Sequence, residues 1–214
     1  DVDGKISFIA DLPMDGTYYV KELYAPDGFV TTGEEQEFVF EYQGDKEAEG
    51  SYEFVFEDEP TTVEFTKTSL TDGKEIEGAK LKVIDESGNT VDEWTSGKEP
   101  HIIKELTAGK KYTMTETLPA DGYVTAESIT FTVEDTGEVQ KVEMKDDYNK
   151  LELRKCDITT GEEIEGAEME LYDSENNLVD SWISEKTPHR IDRIKTGTYR
   201  LVEKRAPKGY VVAE

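Results

Sequence analysis

Cysteine is nearly absent. Cys156 is the only one among 214 residues, so the chain can form no internal disulfide. Two histidines, His101 and His189, leave little for a His-rich metal site. Basic residues are few, with 24 Lys and Arg against 50 Asp and Glu, a formal net charge of −26. Such a chain lacks the basic footprint that a phosphate backbone needs, so nucleic acid is excluded as a partner. An anionic membrane surface would repel it. No apolar run approaches the roughly 20 residues that span a bilayer, and no membrane insertion is expected in this segment. The opening Asp1-Val2-Asp3-Gly4 has neither the basic start nor the apolar centre of a secretion signal. A signal already removed, or a stretch excised from a longer protein, is the expectation. No metal and no cofactor is expected.

What is present argues for a folded chain. Apolar residues make up 35% and charged residues 35%, a balance close to that of disordered segments. Yet 11 Tyr, 8 Phe and 2 Trp are far more aromatics than an acidic disordered tail carries. The composition therefore describes a thin core under an acidic, mostly solvated surface.

The sequence repeats itself at an offset of 88 residues. Val63-Glu64-Phe65-Thr66-Lys67 returns as Leu151-Glu152-Leu153-Arg154-Lys155. Glu75-Ile76-Glu77-Gly78-Ala79 returns as Glu163-Ile164-Glu165-Gly166-Ala167, and Pro100-His101 as Pro188-His189. After one deletion, Tyr112 to Glu116 matches Tyr199 to Glu203. Tyr18-Tyr19-Val20-Lys21-Glu22 and Ala25-Pro26-Asp27-Gly28-Phe29 match the same back part of the unit. The expected organisation is a back part over 1–61, a whole module over 62–150 and a front part over 151–214, cut from a longer array. Within a unit, short alternating runs are separated by turn signals such as Thr71-Asp72-Gly73 and Asp135-Thr136-Gly137. That spacing predicts an all-β fold of tandem Ig-like β-sandwich modules. A helix over 98–106 stays open, although Pro100 opposes it.

Neighbouring residues on a strand point to opposite faces. Val63 and Phe65 therefore point inward, and so does Lys67. Tyr112 and Met114 do the same with Glu116, and Val142 and Met144 with Asp146. An isolated buried charge costs several kcal/mol, on the order of 3–5 when its partner is missing. Three such groups make sense only if they meet. The front part repeats two of them as Lys155 and Glu203, and the back part repeats the acids as Glu22 and Asp58. Burial shifts lysine and carboxyl groups toward neutrality. A neutral Lys67 amine could then attack the Asp146 carboxyl while Glu116 relays protons. From the pattern alone, a buried ion network without a covalent bond remains equally open.

The same residues carry a resemblance that covers essentially the whole chain. Lys67 precedes Asp72-Gly73-Lys74-Glu75-Ile76-Glu77-Gly78-Ala79, and Glu22, Glu116 and Glu203 each precede a Gly-aromatic turn at Gly28-Phe29, Gly122-Tyr123 and Gly209-Tyr210. Each unit resembles the B-type repeats of Gram-positive collagen adhesins, the SpaA-like or prealbumin-like pilin domains. Met144-Lys145-Asp146-Asp147-Tyr148 resembles the reactive-Asp strand of a streptococcal member. The resemblance implies an intramolecular isopeptide bond between Lys67 and Asp146 under Glu116. Lys155 and Asp58 are then unpaired equivalents, and Glu22 and Glu203 stand in for Glu116 in the partial modules. It further implies a stalk or spacer of an extracellular, cell-wall-anchored adhesin or pilin-like protein, not a turnover enzyme. Neighbouring modules of the same chain are the expected partners, with a host extracellular matrix protein as a further one. Two features depart from the family pattern. Leu118-Pro119-Ala120-Asp121 displaces the usual Ala-Pro pair by one position, and both acceptors are Asp where many members have Asn.

The same residues admit other readings. A host-protein or glycan-binding module usually shows exposed aromatic patches, whereas the one segment outside the repeat, 31–53, is acidic at its tip. A two-carboxylate hydrolase needs its acids in an open cleft, and alternation buries them. Asn149 is a rival acceptor, but parity turns it outward along with Asp147. Asp1-Val2-Asp3-Gly4 lacks most ligands of a calcium loop. Trp94 and Trp182 read as packing residues, His101 and His189 as strand-edge or loop positions, and Cys156 as an outward, incidental thiol.

Overall fold

The structure, a computed structural model, describes residues 6–13, 15–40 and 51–213. Asp1-Val2-Asp3-Gly4 lies outside them. Among the described residues there is no helix, and the fold is all-β. The first strands are β1 (Gly16–Lys21), β2 (Phe29–Val30), β3 (Glu35–Phe40) and β4 (Glu59–Pro60). Next come β5 (Thr62–Ser69), β6 (Lys80–Ile84), β7 (Thr90–Thr95), β8 (His101–Lys104), β9 (Lys111–Leu118), β10 (Ile129–Thr132) and β11 (Val139–Asp146). The last are β12 (Lys150–Leu153), β13 (Glu168–Tyr172), β14 (Leu178–Ile183), β15 (His189–Asp192) and β16 (Arg200–Arg205). The 98–106 stretch, left open to helix by the sequence, holds strand β8 instead; Pro100 sits just before it.

The chain forms two compact units. The first gathers the described residues of Asp1–Val63 with Ile103–Lys110 and Thr132–Gln140. In it, β1 pairs antiparallel with β3, from Gly16 opposite Phe40 to Lys21 opposite Glu35, and β2 pairs with β4. Phe38 gathers Tyr18, Tyr52 and Phe54 at centroid distances of 5.5, 4.7 and 5.2 Å. These rings, with the Tyr52 hydroxyl donating to the Val39 carbonyl at 2.9 Å and Gln36 Nε2 to the Val55 carbonyl at 2.5 Å, hold 51–58 against the hairpin, and Phe54, Phe56 and Asp58 alternate inward as half-buried residues.

The second unit comprises Glu64–Ile102, Lys111–Phe131 and the described part of Lys141–Glu214. Strands order as β10-β9-β6-β7 in a four-stranded sheet and β11-β5-β8 in a three-stranded one. Phe65 on β5 meets Trp94 on β7 at 5.5 Å and Phe131 on β10 at 5.4 Å, so the two sheets face each other across a shared core. Phe65, Leu81, Val83, Met114 and Met144 are at most 2% exposed. Each such side chain contributes about 1.5–3 kcal/mol by leaving water. The strands alternate because one face of each sheet packs and the other is solvated. Asp92 reaches His101 at 2.8 Å, and the imidazole stacks on Trp94 at 4.2 Å. Asp180, His189 and Trp182 repeat this cluster.

In the later repeat, β14-β13-β16 and β12-β15 form the corresponding sheets. Here one inward position lacks cover. Leu201, expected inward, is 41% exposed, whereas its counterpart Met114 is fully buried. Leu201 lines a cavity of about 370 Å³ with Leu153, Lys155, Met169 and Trp182. Among the described residues nothing fills the place that Phe131 takes beside Phe65 and Tyr112. Cys156 is half-buried rather than fully outward, because it bridges to Glu163 beyond the end of β12.

Candidate functional site

Lys67, Glu116 and Asp146 come from three strands and meet in the core. Lys67 sits on β5 and Asp146 closes β11, its neighbour in the three-stranded sheet; Glu116 comes from β9 in the facing sheet. They are 1%, 5% and 1% exposed. The Lys67 Nζ donates to Asp146 Oδ1 in a very short contact. Glu116 Oε1 lies 3.0 Å from the same nitrogen, an ion pair by distance that lacks hydrogen-bond alignment. Glu116 Oε2 accepts the Ala126 backbone N–H at 2.7 Å. Asp146 Oδ2 is buried without a hydrogen-bond partner among the described residues.

The backbone around the lysine is pinned. The Lys67 N–H donates to Glu75 Oε2 at 3.2 Å, the Ile76 N–H to the Lys67 carbonyl at 2.7 Å, and the Leu70 N–H to the Asp146 carbonyl at 2.8 Å. The Glu75 carboxyl is itself raised by burial. Neither Glu75 nor the Ala126 amide was among the sequence candidates. Both leave a repeat signal: Glu75 recurs as Glu163, and Ala126 as Ala213.

The electrostatics follow from two acids and one lysine in a dry space. Burial pushes Asp146 up to about 6; Glu116 adds to the rise and Lys67 opposes it. Neutral carboxyl is thus readily reached beside a lysine nitrogen already in contact with it. A carboxylate is a poor electrophile, whereas a protonated acid offers a leaving water, so the arrangement can serve condensation as well as ion pairing.

The partial sets are laid out the same way. Lys155 Nζ lies 3.2 Å from Glu203 Oε2, and that oxygen accepts the Ala213 N–H at 2.6 Å. Glu203 Oε1 is buried without a hydrogen-bond partner among the described residues. In the first unit Glu22 adjoins Asp58. Burial first, and then the Asp58 carboxyl, raise the Glu22 pKa. Glu22 is half-buried, less than parity alone suggests. Asn149, the rival acceptor, turns away from Lys67, and its Nδ2 donates to the Ile194 carbonyl at 3.1 Å. Asp147 pairs with Lys150 at 2.6 Å.

A two-sheet sandwich with a lysine and two acids buried between its sheets is a narrow class. The family model for the SpaA prealbumin-like fold domain matches residues 61–148 and again 149–214, and the chain belongs to that family. No curated protein matches it. Among solved structures it is similar to the Bacillus anthracis TIE protein, at 26% identity and a TM-score of 0.56. That match covers 93% of this chain and 38% of that one, so the chain spans well under half of that relative. It is also similar to a streptococcal ancillary pilin (20% identity, TM-score 0.38, 94% of this chain and 70% of that one). A third is the shaft pilin SpaA of Lactobacillus rhamnosus GG in its D295N form (17% identity, TM-score 0.39, 72% and 91%).

Proposed function

We propose that this chain is a run of stalk or spacer modules from a surface adhesin or pilin-like protein of a Gram-positive bacterium. Its module over 62–150 stiffens itself with an isopeptide bond. The observation that carries the reading is Lys67 Nζ in contact with Asp146 in a core closed to water, under Glu116. Lys67 passes its proton to the Asp146 carboxylate, giving a neutral amine and a neutral acid. The amine nitrogen attacks Cγ, one Cγ–O bond breaks, and one water leaves. Glu116 takes the proton from nitrogen and returns it to the departing oxygen. The product is an amide, and the reaction runs once per chain without turnover.

The mechanical logic follows from topology. Lys67 and Asp146 lie on adjacent strands at the two ends of the module sequence. A covalent link there bars the strands from separating under tension, the task that disulfides perform in chains that have them. Glu22, Asp58, Lys155 and Glu203 are the matching groups of the modules on either side, and neighbouring modules are the partners such a stalk works with. Intact mass of the purified, denatured chain tests the reading. One water less than the sequence mass is the expected result. Full mass in folded protein would leave only an ion network.

A further inference from the structure

We infer that the glycine turn after each relay glutamate is a latch for the repeat that follows, built chiefly from main-chain atoms and fitted to another repeat of the same kind. The arrangement occurs twice. In the first unit Gly28 has φ +88°, and its carbonyl accepts the Thr61 N–H at 2.9 Å. The Thr61 carbonyl accepts the Glu105 N–H at 3.0 Å, and Thr61 Oγ1 donates to the Leu106 carbonyl at 2.6 Å. In the second unit the Gly122 carbonyl accepts the Asn149 N–H at 2.8 Å, and the Asn149 carbonyl accepts the Arg193 N–H at 2.8 Å. Asn149 Nδ2 takes the place of the threonine hydroxyl on the Ile194 carbonyl. Thr61 and Asn149, Glu105 and Arg193, and Leu106 and Ile194 all stand at the repeat offset of 88.

Two features show that the backbone sets the fit, to which Thr61 and Asn149 each add a side-chain hydrogen bond. Glu105 and Arg193 carry opposite charges, yet both adopt the left-handed conformation, at φ 64° and 60°. Such a φ is uncommon for residues other than glycine, and it is held here by the hydrogen bonds around it. Each loop also presses its carbonyl onto the glycine. A Cβ at position 28 would stand 2.5 Å from the Glu105 oxygen, and one at position 122 would stand 2.7 Å from the Arg193 oxygen. Only glycine admits that approach while keeping φ positive. The latch thus joins repeats whose side chains differ and fixes the entry of each strand β5 or β12 against the turn before it.

Gly209 supplies the matched control. It has the same turn and φ +95°, but among the described residues no atom lies within 4 Å of a Cβ placed there. Gly122→Ala and Gly209→Ala therefore share the left-handed penalty and differ in the carbonyl contact. The test is hydrogen exchange on the full chain, with tryptic cleavage after Lys150 as a second readout. In Gly122→Ala the Asn149 and Arg193 amides should exchange at least tenfold faster and Lys150 should become cleavable, with β9 amides unchanged. Gly209→Ala should alter neither site. Equal protection in the two variants would overturn the latch. Should Gly122→Ala unfold altogether, the swap Asn149→Thr with Arg193→Glu decides. It installs the residues of the first latch and should keep wild-type protection. Lost protection in the swap would show that side chains hold the joint and refute the inference.

Discussion

Lys155 Nζ lies 3.2 Å from Glu203 Oε2, in the relation that Lys67 Nζ bears to Glu116 at 3.0 Å, but of the two lysines only Lys67 also touches an aspartate among the described residues. Lysine and glutamate are set in both repeats, and the acceptor distinguishes them. The first expectation is therefore a single cross-link in this chain. Peptide mapping should recover Lys155 as a free amine and Lys67 joined to Asp146. A native-state acylating reagent should reach Lys155, whose side chain is 17% exposed, and spare Lys67. A second lost water, or acylated Lys67, would contradict this.

Removing any member of the cluster should restore the full mass. Lys67→Ala deletes the nucleophile and Asp146→Ala the electrophile. Glu116→Gln keeps the shape but cannot shuttle the proton, so cross-linking should stop or slow by orders of magnitude. Asp146→Asn should still react, releasing ammonia in place of water. The link spans a sequence separation of 79 residues. By analogy with disulfides, closing such a loop is worth about 4 kcal/mol, or on the order of 15–30 °C in Tm for a module of this size. Differential scanning calorimetry of wild type against Glu116→Gln reads that gap. Equal Tm values would show that no link constrains the unfolded chain.

The pH dependence of the same pair has a definite sign. Asp146 sits at about 6 when folded and unlinked, against 3.8 in its ordinary state. Between those values the folded protein holds more protons than the unfolded chain. The contribution of this site is therefore most favourable below pH 4 and is lost as pH rises toward 6. Linked protein has no Asp146 carboxyl to titrate. The stability gap between wild type and Glu116→Gln should accordingly widen from pH 4 to pH 7, measured by urea midpoint. A gap that stays constant would mean that Asp146 titrates as in an open chain.

Much of this site was legible from period-two parity. Val63, Phe65 and Lys67 share one face, as do Tyr112, Met114 and Glu116, and the charges that broke the pattern are the ones that meet. Parity says nothing of cover. Leu201 and Glu22 sit on the expected faces but are less buried, because covering depends on residues elsewhere in the fold. Glu75 and the Ala126 amide act through the backbone and through a loop, where alternation gives no face. The latch lay further out of reach, since most of its contacts are main-chain hydrogen bonds and its two loop residues, Glu105 and Arg193, look unrelated in sequence. Only the repeat offset and the glycines mark it.

The last expectation concerns the order in which the chain opens. The fully buried apolar residues begin at Val63; the described residues before it include none, and the later repeat holds only Ile164, Ala167, Met169 and Leu171. Residues 51–58 carry alternating aromatics but no ladder partner among the described residues. In the later repeat β12 pairs only with β15, and β16 only with β13, among the described residues. Segments with few buried contacts and open edges have small opening free energies. Thermolysin should therefore cut first near the exposed Phe8, Leu23 and Val55, next near Ile158 and Val211, and last within 62–150. The surviving fragment should carry the one-water deficit. In Lys67→Ala that fragment should lose much of its resistance, because opening β5 from β11 then costs only non-covalent contacts. Equal digestion of ends and middle would mean that the buried core over 63–144 does not set the stability of this chain.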